Sequence, residues 1–216
     1  VKVLVVCAQR YNGHELWTAL GVMQEAGLEF DVASTMYMIE DEVTGQSNTI
    51  KLTLDDIEPE EIDHYDGLMF VSGNMADTEK YWHLERTLAY VQVAKRADMA
   101  LAAICCSVPT IRHAASGKVV SFFPLVRSRQ LLKDAGAILS TVSISVDEKL
   151  VTAEHQMSSQ MWATYFSNVV KGETPGIALV DSGFVPGKGS PRKPIPEVEY
   201  VKRRWADGND ARSDAG

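Results

Sequence analysis

Residues 2–8 read Lys-Val-Leu-Val-Val-Cys-Ala, an apolar run with no polar alternation. Such a run is what a strand buried on both faces requires, and strands of that kind belong to parallel sheets. A polar turn over residues 9–14 follows. Residues 15–26 then carry Leu16, Leu20 and Met23 at helical intervals. Gly27 stands where a helix ends in a left-handed residue, and residues 28–33 are apolar enough for a second strand. Strand, helix, glycine, strand is a βαβ unit. It predicts an α/β fold, a mostly parallel sheet with helices on both faces.

The remaining chain extends this pattern. Residues 67–71 form another apolar run, closed by Ser72-Gly73-Asn74. Residues 78–96 read as one helix and residues 99–104 as the next strand. Short strands are expected at 50–54, 119–122, 137–142 and 149–153, and helices at 127–134 and 158–170. Residues 55–65 are acidic and read as a loop with a helical turn. After Lys171 the composition shifts: five of the eight prolines fall between residues 172 and 216. A domain over residues 1–171 and a C-terminal arm over 172–216 are expected, with an edge strand at 177–180. From Pro186 on, the arm is expected to pack on its own domain or on a partner subunit, with Tyr200 and Trp205 as anchors.

Composition excludes several function classes. A net charge of −8 argues against nucleic-acid and membrane surfaces. No apolar run is long enough to span a bilayer and no stretch reads as a secretory leader. Three cysteines, two of them adjacent, make a poor disulfide framework, so a reducing, cytoplasmic setting is expected. No Cys/His spacing suits zinc, and no cofactor or metal is expected.

The chemistry is concentrated at Leu101-Ala102-Ala103-Ile104-Cys105-Cys106-Ser107-Val108-Pro109. A buried strand ends abruptly in two thiols, and a helix is expected over residues 109–115, with Pro109 in its first turn. A nucleophile at such a corner is displayed at the carboxyl edge of the sheet, beside the N–H of Cys106 and the positive end of the helix. These conditions favour a thiolate, so Cys105 is expected to react well below neutral pH. The competing reading makes both cysteines small buried hydrophobes. Cys7 belongs to the core on either reading.

Four motifs in order resemble the DJ-1/PfpI (ThiJ/PfpI) superfamily, from about Val3 to Val170. They are the elbow Ala102-Ala103-Ile104-Cys105; Glu15, twelve residues before Gly27; Val71-Ser72-Gly73-Asn74; and Gly117-Lys118-Val119-Val120 with Phe123-Pro124-Leu125. The resemblance implies a flavodoxin-like three-layer sandwich, of the class I glutamine amidotransferase-like type, and a homodimer. It also implies Cys105 as nucleophile, Glu15 as proton carrier, and a backbone donor from Gly73 beside that of Cys106. Members of the family carry a histidine either directly after the nucleophile or just before the Pro-Leu turn. Here those positions are Cys106 and Phe123. The arrangement is nearer to that of isocyanide hydratases, which work with a cysteine and an acid.

A carboxyl group held against a thiolate stays protonated and can carry a proton to a substrate. Otherwise Glu15 is an ordinary acid at a helix start. His155 follows the strand at 149–153, in a loop that faces the nucleophile in the family, and is the candidate for a relocated base. His14, Trp17, Asn74 and Phe123 are candidates for the pocket wall. His64, His83 and His113 read as surface or packing residues, and Arg127 and Arg129 as solvated. Two function classes follow. The first is a cofactor-independent cysteine enzyme acting on a small electrophile, as a hydratase, hydro-lyase or hydrolase, with glyoxalase or deglycase chemistry as a variant if His155 serves as base. The second is a redox or stress-responsive sensor whose thiolate is oxidised without turnover.

Overall fold

The computed structural model describes residues 1–173 and 176–181. Eight strands form the central sheet: β1 Lys2–Cys7, β2 Glu29–Ser34, β3 Leu52–Thr53, β4 Gly67–Val71, β5 Ala100–Ile104, β6 Ile144–Asp147, β7 Leu150–Ala153 and β8 Ile177–Val180. Their order is β8-β6-β7-β5-β4-β1-β2-β3. The strands from β7 to β3 pair in parallel, whereas β6 runs antiparallel to both β7 and β8. Val5 at the centre faces Val32 on one side and Met69 on the other. The edge strand expected at 177–180 is therefore present, and the sheet runs past Lys171. Tyr200, Trp205 and the arm from Pro186 lie outside the described residues.

Alternation along the strands divides the core between two layers of helices. Val3, Val5, Cys7, Met69, Ala102 and Ile104 face helices α1 (Gly13–Glu25) and, across the sequence, a final helix at Ser159–Val170, whose Trp162 and Phe166 are fully buried. Leu4, Val6, Leu68, Phe70, Leu101 and Ala103 face the opposite way, against Tyr90, Val91, Val108, Ile111 and Leu132. This is the three-layer architecture that the opening βαβ unit predicts.

Three expectations need correction. Residues 78–96 form two helices, α2 Met75–His83 and α3 Glu85–Arg96, because Leu84 adopts an extended conformation (φ −67°, ψ 121°). The Thr87 hydroxyl secures the break by reaching the Tyr81 and Leu84 carbonyl oxygens at 2.7 and 2.8 Å. The short strands at 119–122 and 137–142 shrink to Val119–Val120 and Ile138–Leu139, paired with each other apart from the main sheet. Strand β6, which the sequence reading missed, takes the place in the sheet. Its Ser145 and Asp147 disguise it, yet both are fully buried. Ser145 pairs with Ser121 at 2.6 Å, and Asp147 accepts the Val119 N–H at 2.8 Å.

The turn at 9–14 also holds structure. Arg10–Tyr11 pairs in parallel with Met38–Asp41, which in turn pairs with Ser47–Thr49. This small sheet is tied to the main one where Tyr11 bridges Gly73. The backbones approach so closely that a Cβ at Gly73 would lie 2.0 Å from the Arg10 carbonyl oxygen and 2.6 Å from Tyr11 Cα. Both obstacles are backbone, which cannot rotate away. Gly73→Ala is expected to destabilise the fold by about 1–3 kcal/mol, the usual cost of overpacking. Urea unfolding of the two proteins measures it, and an unchanged midpoint would show that the bridge yields freely.

Candidate active site

Strands β1, β4 and β5 end at one edge of the sheet, where ligands of open α/β sheets bind. Glu15, Ser72 and Cys105 come from the three segments that follow those ends. Cys105 takes a left-handed backbone conformation (φ 56°), which costs a non-glycine residue about 1–3 kcal/mol and persists only where its surroundings impose it. The helix after it starts at Cys105 itself and runs to Ala114 as a 3₁₀ helix, with Pro109 inside, instead of beginning at Pro109. Ser107 braces the corner: its Oγ accepts the Ile104 N–H at 3.1 Å and lies 2.9 and 2.7 Å from the carbonyl oxygens of Phe70 and Ile104. Trp82 Nε1 holds the Cys106 carbonyl oxygen at 2.8 Å.

Glu15 is fully buried. Asn12 caps α1 by accepting the Glu15 N–H at 3.1 Å, which aims the carboxyl group inward. One carboxyl oxygen accepts the Ser72 N–H at 2.8 Å, and the Ser72 hydroxyl lies 2.9 and 2.8 Å from the two oxygens. Burial first, and the charge of Cys105 second, hold Glu15 well above the ordinary carboxylate range; the two Ser72 contacts only partly oppose this. Glu15 is thus a buried acid biased towards its protonated form, not a solvated carboxylate.

Cys105 is partly exposed, while Cys106 and Cys7 are buried. The Cys105 and Cys106 sulfurs are 3.6 Å apart. Contact with the Cys106 thiol, followed by burial, pushes the Cys105 thiol well above its ordinary value; the Ser72 hydroxyl and the Cys106 N–H pull it down. These influences run against the expectation of a thiolate well below neutral pH. The helix end cannot outweigh a second thiol and a dry setting.

Ser72 is the residue that the sequence reading quoted but did not assign. Its hydroxyl touches the acid and acts on the thiol. Asn12 was missed too, although an Asn just ahead of a helical stretch is a capping signal. Its N–H donates to the Ser72 carbonyl oxygen at 2.9 Å, and its side-chain amide donates to Glu42 at 3.4 Å and to Gln156.

The other candidates are placed as follows. The Gly73 N–H donates to Thr78 Oγ1 at 3.1 Å, so it is engaged within the fold and not directed at a substrate oxygen; the Cys106 N–H remains beside the sulfur. Asn74 caps α2 and accepts from Arg10 at 3.0 Å. His155 accepts the Met157 N–H at 3.2 Å through Nδ1, and its ring lies 6.2 Å from that of Phe123. Burial, then the charge of His14, lowers its pKa. The influences on the Cys105 thiol are, in order, the Cys106 thiol, burial and the Ser72 hydroxyl. Trp17 is half exposed and lines a groove with Leu16, Leu20, Phe30, Ile39 and Ile50, which does not include Cys105. Among the described residues no group of three metal-ligating side chains converges and no helix is long and apolar enough to cross a membrane.

The buried acid and the left-handed cysteine thus meet at the carboxyl edge of an open α/β sheet. The model of the DJ-1/PfpI family matches residues 1–168, and the chain belongs to that family. An uncharacterized protein of Methanocaldococcus jannaschii is 28% identical over 156 residues, covering 71% of this chain and 74% of that protein. The crystal structure of a ThiJ/PfpI domain protein from Brachyspira murdochii superposes with a TM-score of 0.70 at 19% identity, covering 79% of this chain and 96% of that one. Oxidized DJ-1 from Toxoplasma gondii gives a TM-score of 0.64 at 19% identity, covering 80% and 95%. The fold is the flavodoxin-like sandwich, and the family supports a cysteine-dependent, DJ-1-like function in general terms.

Glu15 sets a pH dependence of stability. Its protonated form is the one the fold favours, so its contribution is fully present below the ordinary carboxyl range. That contribution is lost as pH rises towards the raised value. Glu15→Gln removes the titration and keeps an oxygen for the Ser72 N–H. Relative to wild type, the variant is expected to gain stability between pH 5 and pH 8, as read from urea unfolding at both. A constant difference across that range would show that Glu15 ionises normally.

Proposed function

We propose that this chain is a cofactor-independent enzyme in which Cys105 attacks a small electrophilic carbon and Glu15 carries the proton. The observation behind this reading is the fully buried Glu15, held by Ser72, whose pKa burial and the charge of Cys105 raise. A carbon in a multiple bond to nitrogen or oxygen suits these groups. The sulfur forms a bond to that carbon, a π electron pair moves away from it, and a proton from Glu15 neutralises the developing charge. The thiol proton, passed through the Ser72 hydroxyl, restores Glu15. Water then adds at the same carbon, the carbon–sulfur bond breaks, and Cys105 recovers its proton. Hydration of the isocyanide hydratase kind needs only this acid and this thiol, the carbon that takes the sulfur also taking the proton. In hydrolysis of an amide, the C–N bond breaks as the amine leaves with the proton from Glu15, and water then releases the carbon from sulfur. No histidine base is required, which fits Cys106 and Phe123 at the positions where relatives carry one. The Cys106 N–H is the donor available to the charged sulfur.

The sensor reading has one observation in its favour, that Cys105 is a partly exposed residue. Against it stands the direction of the thiol's shift. Oxidation without turnover depends on a resting thiolate, whereas an enzyme can form its thiolate with the substrate in place. The cytoplasmic setting suggested by the cysteine usage and the homodimer implied by the family resemblance are part of the proposal; the dimer is checked by mass in solution.

Isonitriles, α-oxoaldehydes and small amides should be screened against wild type, Cys105→Ala and Glu15→Gln. Turnover of one class is expected. It should vanish in Cys105→Ala and fall about 10²–10⁴-fold in Glu15→Gln, the usual loss of a general acid–base group. His155→Gln should leave it within about threefold, because a general base would cost far more. No turnover in any class, with Cys105 gaining oxygens in dilute peroxide, would favour the sensor. A large loss in His155→Gln would restore the relocated base.

A further inference from the structure

The mechanism uses one of two neighbouring thiols and gives the Cys106 side chain no part. In a regular strand adjacent side chains point to opposite faces. The left-handed turn at Cys105 breaks that alternation, and the two sulfurs end 3.6 Å apart with both thiols free. That spacing is informative. A disulfide needs sulfurs about 2.05 Å apart, so the pair is not set for a bond to each other. Two thiolate bonds of about 2.3 Å to one centre hold their sulfurs roughly 3.4–3.8 Å apart, as the angle between them widens from about 95° at a pyramidal trivalent atom to the tetrahedral value. The separation therefore suits a third atom bonded to both.

We propose that Cys105 and Cys106 form a dithiol site for trivalent arsenicals. The donor count selects the ligand class. Structural zinc asks for four protein ligands, and among the described residues no group of three His, Cys, Asp or Glu side chains is placed to hold a metal ion. A trivalent arsenic centre asks the protein for only two sulfurs and keeps its own third substituent. The reaction balances without any oxidant or reductant. With arsenous acid two S–H and two As–O bonds break, two As–S bonds form, and two waters leave as the thiol protons join the departing hydroxyls; with an arsine oxide both protons join its single oxygen and one water leaves. Arsenic stays trivalent. Cys105 is the open end of the site, since it is partly exposed while Cys106 lies beneath it. Cys7 offers no competition: it is buried, and burial pushes its thiol up to about 12.

The site is tested by titrating the full chain with phenylarsine oxide and, separately, with arsenite, whose small size removes any steric bar. One arsenic per chain is expected by intact mass. Both Cys105 and Cys106 should then resist iodoacetamide, and the adduct should survive excess monothiol but release to a dithiol such as 1,2-ethanedithiol. Cys106→Ser and Cys105→Ser should each weaken binding at least 100-fold, while Cys7→Ala binds as wild type. The readout is binding, so it stands whether or not the protein turns over a substrate. An adduct that persists undiminished in Cys106→Ser, or no monothiol-resistant adduct with either probe, would overturn the proposal.

Discussion

A carboxyl group has been taken out of water and turned towards a thiol, and the surrounding architecture answers to that constraint. Burying an ionised carboxylate is costly, so Glu15 keeps its proton, and its oxygens must be matched. Ser72 matches them with an N–H and a hydroxyl. For Ser72 to stand there, strand β4 must end beside the start of α1, and Asn12 must join the two. It does so by capping the helix through its side chain and donating its own N–H to the Ser72 carbonyl oxygen. The close approach of Tyr11 to Gly73 belongs to the same junction. Stability and chemistry are thus coupled: the contacts that fix the acid also fasten the small sheet to the large one.

The thiol side of the site has its own support. A left-handed cysteine is unfavourable in isolation, and it is held by groups that have no chemical role. Ser107 satisfies the Ile104 N–H at the end of β5, and the indole of Trp82 fixes the Cys106 carbonyl oxygen from α2. The break at Leu84 separates α2 from α3, so the segment carrying Trp82 has its own direction. The hydrogen bonds around the elbow fix its backbone, and of the three cysteines Cys105 alone is partly exposed.

The fold was legible where a single physical rule governed a stretch. Unbroken apolar runs gave β1, β4 and β5, and Gly27 marked the end of α1. Legibility failed where partners distant in sequence decide. Ser145 and Asp147 look like loop residues until Ser121 and the Val119 N–H are seen to satisfy them. Leu84 belongs to the helical pattern by type, yet the chain turns there. At the site, Cys105 and Glu15 were legible, but the role of Ser72 was not, because a hydroxyl in a glycine turn is also an ordinary turn residue. The thiol's shift was read with the wrong sign, because the helix end is visible in sequence and the geometry of the neighbouring sulfur is not.

That sign bears on the chemistry proposed above. An imidazolium beside a thiolate makes a neutral pair, and such a pair can exist before substrate arrives. A protonated carboxyl beside a thiolate carries a net negative charge in a dry place, so the resting site favours the neutral acid and the neutral thiol. Charge appears only when a substrate can take it up. An electrophile whose attacked carbon is joined to a basic nitrogen or oxygen does so, since the proton released by sulfur has somewhere to go within the same step. Exchanging histidine for a buried acid therefore narrows the substrates rather than merely slowing the reaction. It favours small molecules that become proton acceptors as the carbon–sulfur bond forms.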